Sequence, residues 1–284
     1  MEEKKTKNIH LKSHAKINLF LDVISKRKDN FHKIKTIFSE IDIFDELNFI
    51  LTERDNIEIS TNIDSLSNKE NLIYKTALFI QKKYNVKNGV KIELKKIIPV
   101  SAGLGGGSSN AAQTIKALSE LWQLHLTSDE MNEIAGQFGS DINFFLHGGT
   151  ALGEGKGDRI SILNDIPIEN IFLVNPGFGI SSREAYEAVK ISKTRNSNWK
   201  NLLKEKDVKY CYNDLEKGVS KRYPEIYEII NYLENNGASK SMLSGSGATI
   251  IGFCPDRKTT EEFQKYYSKK NYWNCVTKTI RRSK

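Results

Sequence analysis

Three features of the sequence predict a mixed α and β protein with a change of domain around Pro167. Strand-like alternation and helix-like spacing take turns along the whole chain. An apolar run, a glycine-rich loop and a helical pattern follow one another between Val90 and Trp122. The 284 residues suffice for one large domain or two of ordinary size, and a core of that size needs no disulfide staples.

Residues 9 to 24 read as a strand, because Lys16, Asn18 and Phe20 alternate with Ile17, Leu19 and Leu21. Period two places Lys16 and Asn18 on one face. On alternation alone they are an ordinary solvent-facing pair. Lys26 to Asn30 is a polar turn, followed by Phe31-His32 and the apolar residues Ile34, Ile37, Phe38, Ile41 and Ile43. Two short strands are predicted at Leu47–Thr52 and Asn56–Asn62. A helix follows from Asn71 to Tyr84, carried by Ile73, Ala77, Ile80 and Tyr84, and then a strand from Val90 to Ile98.

That strand runs into Pro99-Val100-Ser101-Ala102-Gly103-Leu104-Gly105-Gly106-Gly107-Ser108-Ser109. Beyond it, Ala111, Ala112, Ile115 and Leu118 are spaced for one buried helical face. A simple turn needs one or two glycines, not four. Glycines at a helix N-terminus let an anion approach unpaired backbone donors that the helix dipole favours, so the loop is read as an anion site, for phosphate above all. It is not a P-loop, which requires Gly-Lys-Ser/Thr. It is not a dinucleotide fingerprint, because Ser108 stands where the third glycine belongs.

Thr127-Ser-Asp-Glu130 is a capping box that starts a further helix. After Gly139, Ser140 or Asp141 is placed to cap a short helix carrying Phe144 and Phe145, and Gly148-Gly149 ends it. Thr150 to Asp158 reads as a glycine-rich hairpin. Past Pro167 come a buried strand at Ile171–Val174, a helix capped by Ser182 and carrying Tyr186, and a lysine-rich stretch over 191–210. Helix resumes over Glu216–Asn235, with a new start at Pro224. A second glycine loop, Met242-Leu-Ser-Gly-Ser-Gly-Ala-Thr249, links two strands; it could be a plain hairpin turn or a loop leaning over a ligand. A helix at Thr260–Tyr267 and a strand at Trp273–Ile280 close the chain.

Composition narrows the classes. Hydrophobic residues at 38% and charged residues at 27% fit a soluble globular protein. The net charge of +8 permits an anionic ligand, but the lysines are scattered as on a solvated surface. Cys211, Cys254 and Cys275 form neither a metal pattern nor a disulfide framework. Met1–Lys7 lacks the apolar core of a signal peptide, and no run approaches the roughly 20 apolar residues of a membrane span. A cytoplasmic protein is expected.

Three separated motifs stand in order: Ala15-Lys-Ile-Asn-Leu-Phe-Leu21, the loop Pro99–Ser109, and Leu243-Ser-Gly-Ser-Gly-Ala248. Together they resemble the galactokinase, homoserine kinase, mevalonate kinase and phosphomevalonate kinase (GHMP) superfamily. Phe31-His32, Gly139-Ser-Asp141 and Gly148-Gly149 extend the likeness to the branch of that superfamily whose substrate is a cytidine diphosphate alcohol of the non-mevalonate isoprenoid route. The resemblance is dense to residue 158 and sparse from 190 to 240. One departure is Asn30-Phe31-His32, where the family more often has Gly-Tyr-His; Phe31 keeps an aromatic face and loses a hydroxyl.

The resemblance implies an α+β, two-domain GHMP-kinase fold. The N-terminal domain, 1–165, would be similar to domain 2 of ribosomal protein S5, and the C-terminal domain, 166–284, ferredoxin-like. It implies transfer of the γ-phosphoryl of ATP to an alcohol, with Pro99–Ser109 holding the triphosphate and Mg2+ bridging phosphate oxygens without an assigned protein ligand. By similarity Asp141 is the general base, Lys16 its electrostatic partner, and Asn18 orients the same groups. Phe31 and Tyr186 would stack on the cytosine and His32 would bond its edge. Asn71 and Leu72 would touch adenine, and Gly245 and Gly247 would close over the substrate. The expected partner is a small molecule, not nucleic acid or membrane, and the expected state a monomer or weak homodimer. Two competing readings are a superfamily kinase for another alcohol, such as homoserine or mevalonate, and a non-catalytic basic RNA-binding protein. The aromatic trio argues against the first. The lack of a stretch interleaving aromatic and basic residues argues against the second.

Overall fold

A computed structural model describes residues 7–192 and 198–282. The chain forms two compact units. One comprises the chain up to His14 with Ile43–Pro99 and Gly106–Leu146; the other comprises Ala15–Asp42, Val100–Gly105 and the chain from His147 onward. Strands β1 (Asn8–Lys26) and β2 (His32–Thr52) each pass from one unit into the other.

In the first unit, β2 pairs antiparallel with β4 (Gly89–Lys95), matching Leu47 with Leu94 and Phe49 with Ile92. Strand β3 (Ile57–Thr61) runs parallel to β4 on its other side. Period two puts Leu47, Phe49, Val90, Ile92 and Leu94 in the core, where each buried aliphatic side chain contributes about 1.5–3 kcal/mol. Helix α1 (Leu72–Lys83) buries Ile73, Ala77 and Ile80 and lies against β3 and helix α2 (Gly106–Leu121). The face of α2 built from Ala111, Ala112, Ile115 and Leu118 is buried, as its spacing predicts. Helix α3 (Ser128–Phe138) starts at the Thr127–Glu130 capping box, with both reciprocal hydrogen bonds formed. Helix α4 (Ile142–His147) is a short turn that stops at Gly148 and Gly149, whose φ angles of +68° and +64° favour glycine.

In the second unit, β5 (Thr150–Gly155) pairs antiparallel with the first half of β2 and turns back into β6 (Arg159–Ile162). A two-residue strand, β8 (Tyr212–Asn213), runs parallel to β1. A separate sheet contains β7 (Ile171–Asn175), β9 (Lys240–Leu243), β10 (Ile250–Phe253) and β11 (Trp273–Thr277). Its order is β11-β7-β10-β9 and every pairing is antiparallel. Helices α5 (Ser182–Ala188), α6 (Asn198–Glu205), α7 (Glu216–Arg222) and α8 (Pro224–Asn235) separate β7 from β9, and α9 (Arg257–Lys269) separates β10 from β11. That order is the ferredoxin-like split βαβ arrangement. Helices α8 and α9 pack on this sheet around Phe172, Val174, Ile229, Leu233 and Phe263.

Several local expectations are corrected. The cap of α5 is Ser181, whose hydroxyl accepts from Glu184 N–H, not Ser182. Strand β2 is continuous from His32 to Thr52, and β8 carries no periodicity long enough to read. Of the lysine-rich stretch, 193–197 lies outside the described residues, as do residues 1–6 of the N-terminal segment. Among the described residues no helix is long and apolar enough to cross a membrane.

Candidate active site

The glycine loop alternates in hand. Ser101, Gly103 and Gly105 have φ of +53°, +75° and +69°, whereas Ala102 and Leu104 do not enter the left-handed region. Alternation of this kind gathers successive N–H groups into an anion-binding concavity. Ala102 and Leu104 are buried, at 2% and 1% exposure, and peg the loop down. Its carbonyls are tied inward: Leu104 O accepts from Lys16 N–H at 2.9 Å and Gly103 O from the Ser244 hydroxyl at 3.2 Å. Among the described residues, the N–H groups of 100–105 donate no hydrogen bond. They are followed by the first-turn N–H groups of α2, which a helix leaves unpaired. A row of unpaired donors with its carbonyls tied back fits the polyphosphate of ATP.

In the first unit, α2 starts over a buried polar network. The Lys96 ammonium donates to Asp45 at 2.7 Å and to Ile98 O at 2.6 Å. The Asp45 carboxylate also accepts from Ile97 N–H, Ile98 N–H and the Asn110 amide. The Asn110 amide donates to the Ser13 hydroxyl as well, and that hydroxyl donates to Ser109 at 2.8 Å. Ser109 is fully buried, so its hydroxyl serves this network and only its backbone belongs to the loop. Burial pushes the Lys96 ammonium below the usual lysine range, and Asp45 opposes that shift. A side chain on Gly106 would meet Lys96 Nζ at 2.9 Å. The half-buried Asp141 sits at the entry to α4, its carbonyl accepting from Phe145 N–H at 3.4 Å. Two residues earlier, a Cβ at Gly139 would lie 4.0 Å from Ser108 Oγ, which places this turn beside the start of α2. Asn71 is the N-cap of α1, accepting from Ile73 N–H and donating to Leu66 O; Leu72 is the first residue of that helix.

In the second unit, Lys16 and Asn18 do share a face of β1, but they are buried, at 4% and 2% exposure, not solvent-facing. Lys16 Nζ donates to Asn18 Oδ1 at 2.6 Å, Asn18 Nδ2 to Thr36 Oγ1 at 2.7 Å, and Thr36 Oγ1 to Phe20 O at 2.7 Å. Each link fixes the orientation of the next. The second glycine loop lies directly on this pair: a Cβ at Gly245 would stand 3.1 Å from both Lys16 Nζ and Asn18 Oδ1 and 3.0 Å from Gly103 O. Gly247 packs on Leu243 and Ile180 instead. The loop is thus a hairpin turn between β9 and β10 and also a cover for the lysine.

The three aromatic residues of the expected base site form one stacked pair and one exposed ring. His32 and Tyr186 stack on each other, with centroids 5.2 Å apart and planes 18° from parallel. Phe31 is 56% exposed and carries the Lys156 ammonium 5.4 Å from its ring centroid. Burial, then Lys26, holds the His32 imidazole below its ordinary titration range. Thr36, Asp45 and Lys96 escaped the sequence reading because each is defined by a partner far away in the chain.

Residues 71–149 match the family model for the N-terminal domain of GHMP kinases, and residues 185–272 match that for their C-terminal domain. The 4-diphosphocytidyl-2-C-methyl-D-erythritol kinase of Thermodesulfovibrio yellowstonii is 39% identical over 281 residues, 95% of this chain and 97% of that protein. The same kinase of Shouchella clausii is 37% identical over 85% of this chain and 84% of its own. A crystal structure of 4-(cytidine 5'-diphospho)-2C-methyl-D-erythritol kinase superposes with a TM-score of 0.80 at 25% identity, covering 96% of this chain and 100% of that one. Homoserine kinase from Cytophaga hutchinsonii shares the fold, with a TM-score of 0.76 at 16% identity over 99% of this chain and 97% of its own. With its glycine loop, buried lysine and ferredoxin-like sheet, the chain is an α+β protein that belongs to the 4-diphosphocytidyl-2-C-methyl-D-erythritol kinase family of the GHMP kinases.

Proposed function

We propose that the chain transfers the γ-phosphoryl of ATP to the 2-hydroxyl of 4-diphosphocytidyl-2-C-methyl-D-erythritol, a step of the non-mevalonate route to isoprenoid precursors. The observation that carries this reading is the row of undonated N–H groups at 100–105 running into the first turn of α2. The kinship with kinases named for that alcohol supports the choice of acceptor.

Pro99 to Ser109 hold the triphosphate through backbone N–H groups, with Asn71 and Leu72 at the adenine. Mg2+ bound with ATP would neutralise phosphate charge. No protein ligand is assigned to it. Asp141 takes the proton of the attacking hydroxyl as general base. The Lys16 ammonium stabilises charge on the transferring group, and Asn18, held by Thr36, fixes the ammonium's direction. Phe31, whose ring is exposed, stacks on one face of the cytosine and Tyr186 on the other, and His32 hydrogen-bonds its edge. Gly245 keeps a side chain out of the space over Lys16, and Gly245 and Gly247 together close over the substrate. The protein acts in the cytoplasm as a monomer or weak homodimer and binds neither nucleic acid nor membrane. Its N-terminal ATP-binding and C-terminal regions divide near residue 165, a boundary supported by the spans of the two family matches.

The test is ATP-dependent phosphorylation of this alcohol by purified protein, with homoserine and mevalonate alongside. Turnover confined to the cytidine compound supports the reading. Turnover only on another alcohol removes the base site, and salt-sensitive RNA binding without ATP consumption removes the kinase. Asp141→Ala should leave the fold intact and lower kcat by about a thousandfold or more, in line with loss of a general base from an organised site.

A further inference from the structure

The stretch from 190 to 240, sparse in recognisable motifs, contains the side chain that holds the cover over Lys16. Asn213 is 5% exposed and lies on β8, paired with Leu21 of β1, the strand that bears Lys16 and Asn18. Its amide nitrogen donates to Leu243 O and to Gly245 O, both at 2.8 Å, and its oxygen accepts from Leu215 N–H at 3.0 Å. The next residue grips β1. Asp214 N–H donates to Leu21 O at 2.9 Å, and its carboxylate accepts from Val23 N–H at 3.1 Å. One dipeptide therefore ties β1 to the turn that lies on its catalytic face.

The chemistry asks for a carboxamide. Two carbonyls two residues apart need two donors from one short side chain, and the same group must accept a backbone N–H. An aspartate would repel both carbonyls, and an apolar side chain would leave them buried and unpaired. With those bonds made, the Gly245 backbone is held so close to Lys16 Nζ and Asn18 Oδ1 that a single added carbon would crowd both. Glu216 adds a third tie by accepting from Leu243 N–H at 2.8 Å.

We infer that Asn213 is a positioning residue for phosphoryl transfer: it sets the 243–245 turn over the Lys16–Asn18 pair and so fixes where the ammonium points. This inference rests on the catalytic reading of Lys16.

The experiment measures kcat and KM for ATP and for the cytidine alcohol in Asn213→Ala, Asn213→Ser, Lys16→Met and Ile229→Val, each per folded protein. Ile229 is a buried residue of α8 in the core cluster that also holds Leu243, and its truncation loosens that core while removing none of the hydrogen bonds that hold the turn. The expected result is a fall in kcat of about ten- to a hundredfold for Asn213→Ala, as loss of orientation produces. Both KM values should stay within about threefold. Asn213→Ser keeps one donor and should fall in between; if the alanine variant does not fold, the serine variant carries the test alone. Ile229→Val should turn over like the parent. Unchanged kcat in both Asn213 variants, with Lys16→Met inactive, overturns the inference alone. Parent-like turnover in Lys16→Met overturns the catalytic reading and the inference together. A loss in Asn213→Ala matched by Ile229→Val reduces Asn213 to a structural part and also overturns it.

Discussion

Replacing Gly107 by alanine separates what the glycine loop does for the fold from what it does for the ligand. Gly107 lies in the first turn of α2, outside the left-handed region, and a Cβ built on it meets no atom within 4 Å. The folded chain therefore gives a methyl group nothing to strike. Alanine restricts the unfolded backbone and favours the helix, so stability should hold or rise by up to about 1 kcal/mol. For a chain of this size that is a rise of about 1–2 °C in Tm. The ligand fares differently. A phosphate oxygen accepting from Gly107 N–H stands about 2.9 Å from that nitrogen, and the new methyl occupies the same open side. Loss of that approach should raise KM for ATP at least tenfold, equivalent to about 1.4 kcal/mol. Calorimetric unfolding and ATP titration on the same preparation read both quantities. An unchanged affinity for ATP in a folded Gly107→Ala protein would refute the placing of phosphate at this turn. The contrast is Gly103→Ala, whose Cβ would stand 2.1 Å from Ser244 O at a φ of +75°; that variant should lose stability first.

Other perturbations test the remaining parts. Phe31→Ala should raise KM for the cytidine alcohol about tenfold, the scale of a lost aromatic contact with its buried area, and leave Tm in place because the ring is exposed; an unchanged KM removes Phe31 from the base site. The folded His32 titrates below its ordinary 6.5, so the stability its neutral form contributes is present above pH 6.5 and is lost as pH falls through the folded value. KM for the alcohol should follow that window, and a rise already complete between pH 7.5 and 6.5 would contradict the shift. Lys96→Met strands the Asp45 carboxylate at 0% exposure and should cost about 3–5 kcal/mol in urea unfolding; a loss under about 1 kcal/mol would show that the pair is not holding the start of α2.

The parts of the site that a sequence can reveal are those whose chemistry is local. Four glycines ahead of an apolar helical stripe suffice to locate an anion loop, and period two suffices to place Lys16 beside Asn18. Burial of that pair was not legible, because alternation describes a strand with one wet face and β1 is covered on both. Ser109 shows the same limit: its place in the motif is visible, but its bond to Ser13 comes from a strand 96 residues earlier in the chain. The Asp45–Lys96 pair and Asn213 depend on partners set by tertiary packing, and neither segment carries a periodicity or turn chemistry that names them. The Thr127–Glu130 box and the Pro224 start are legible because such signals are local, whereas α9 starts at Arg257 on an Asp256 cap, ahead of the expected Thr260. Ser181 and Ser182 are adjacent candidates for the cap of α5 that geometry alone separates.

The interleaving of the two units has a consequence for how the protein is made. Each unit is stitched from separate stretches of chain, and Lys16, which is translated early, is covered by Gly245, which is translated near the end. A ribosome-bound chain that has reached residue 165 therefore holds the glycine loop and Asp141 but has no cover for its lysine, no β8 and no ferredoxin-like sheet. Closing such long intervals is slow, because the entropy of bringing distant segments together is lost before their contacts repay it. Buried strands such as β1 meanwhile wait with one face uncovered, a state prone to the wrong partner. Assembly of the site should thus be the last event of synthesis, and the yield of active protein should depend more steeply on elongation rate and chaperone supply than its final stability suggests.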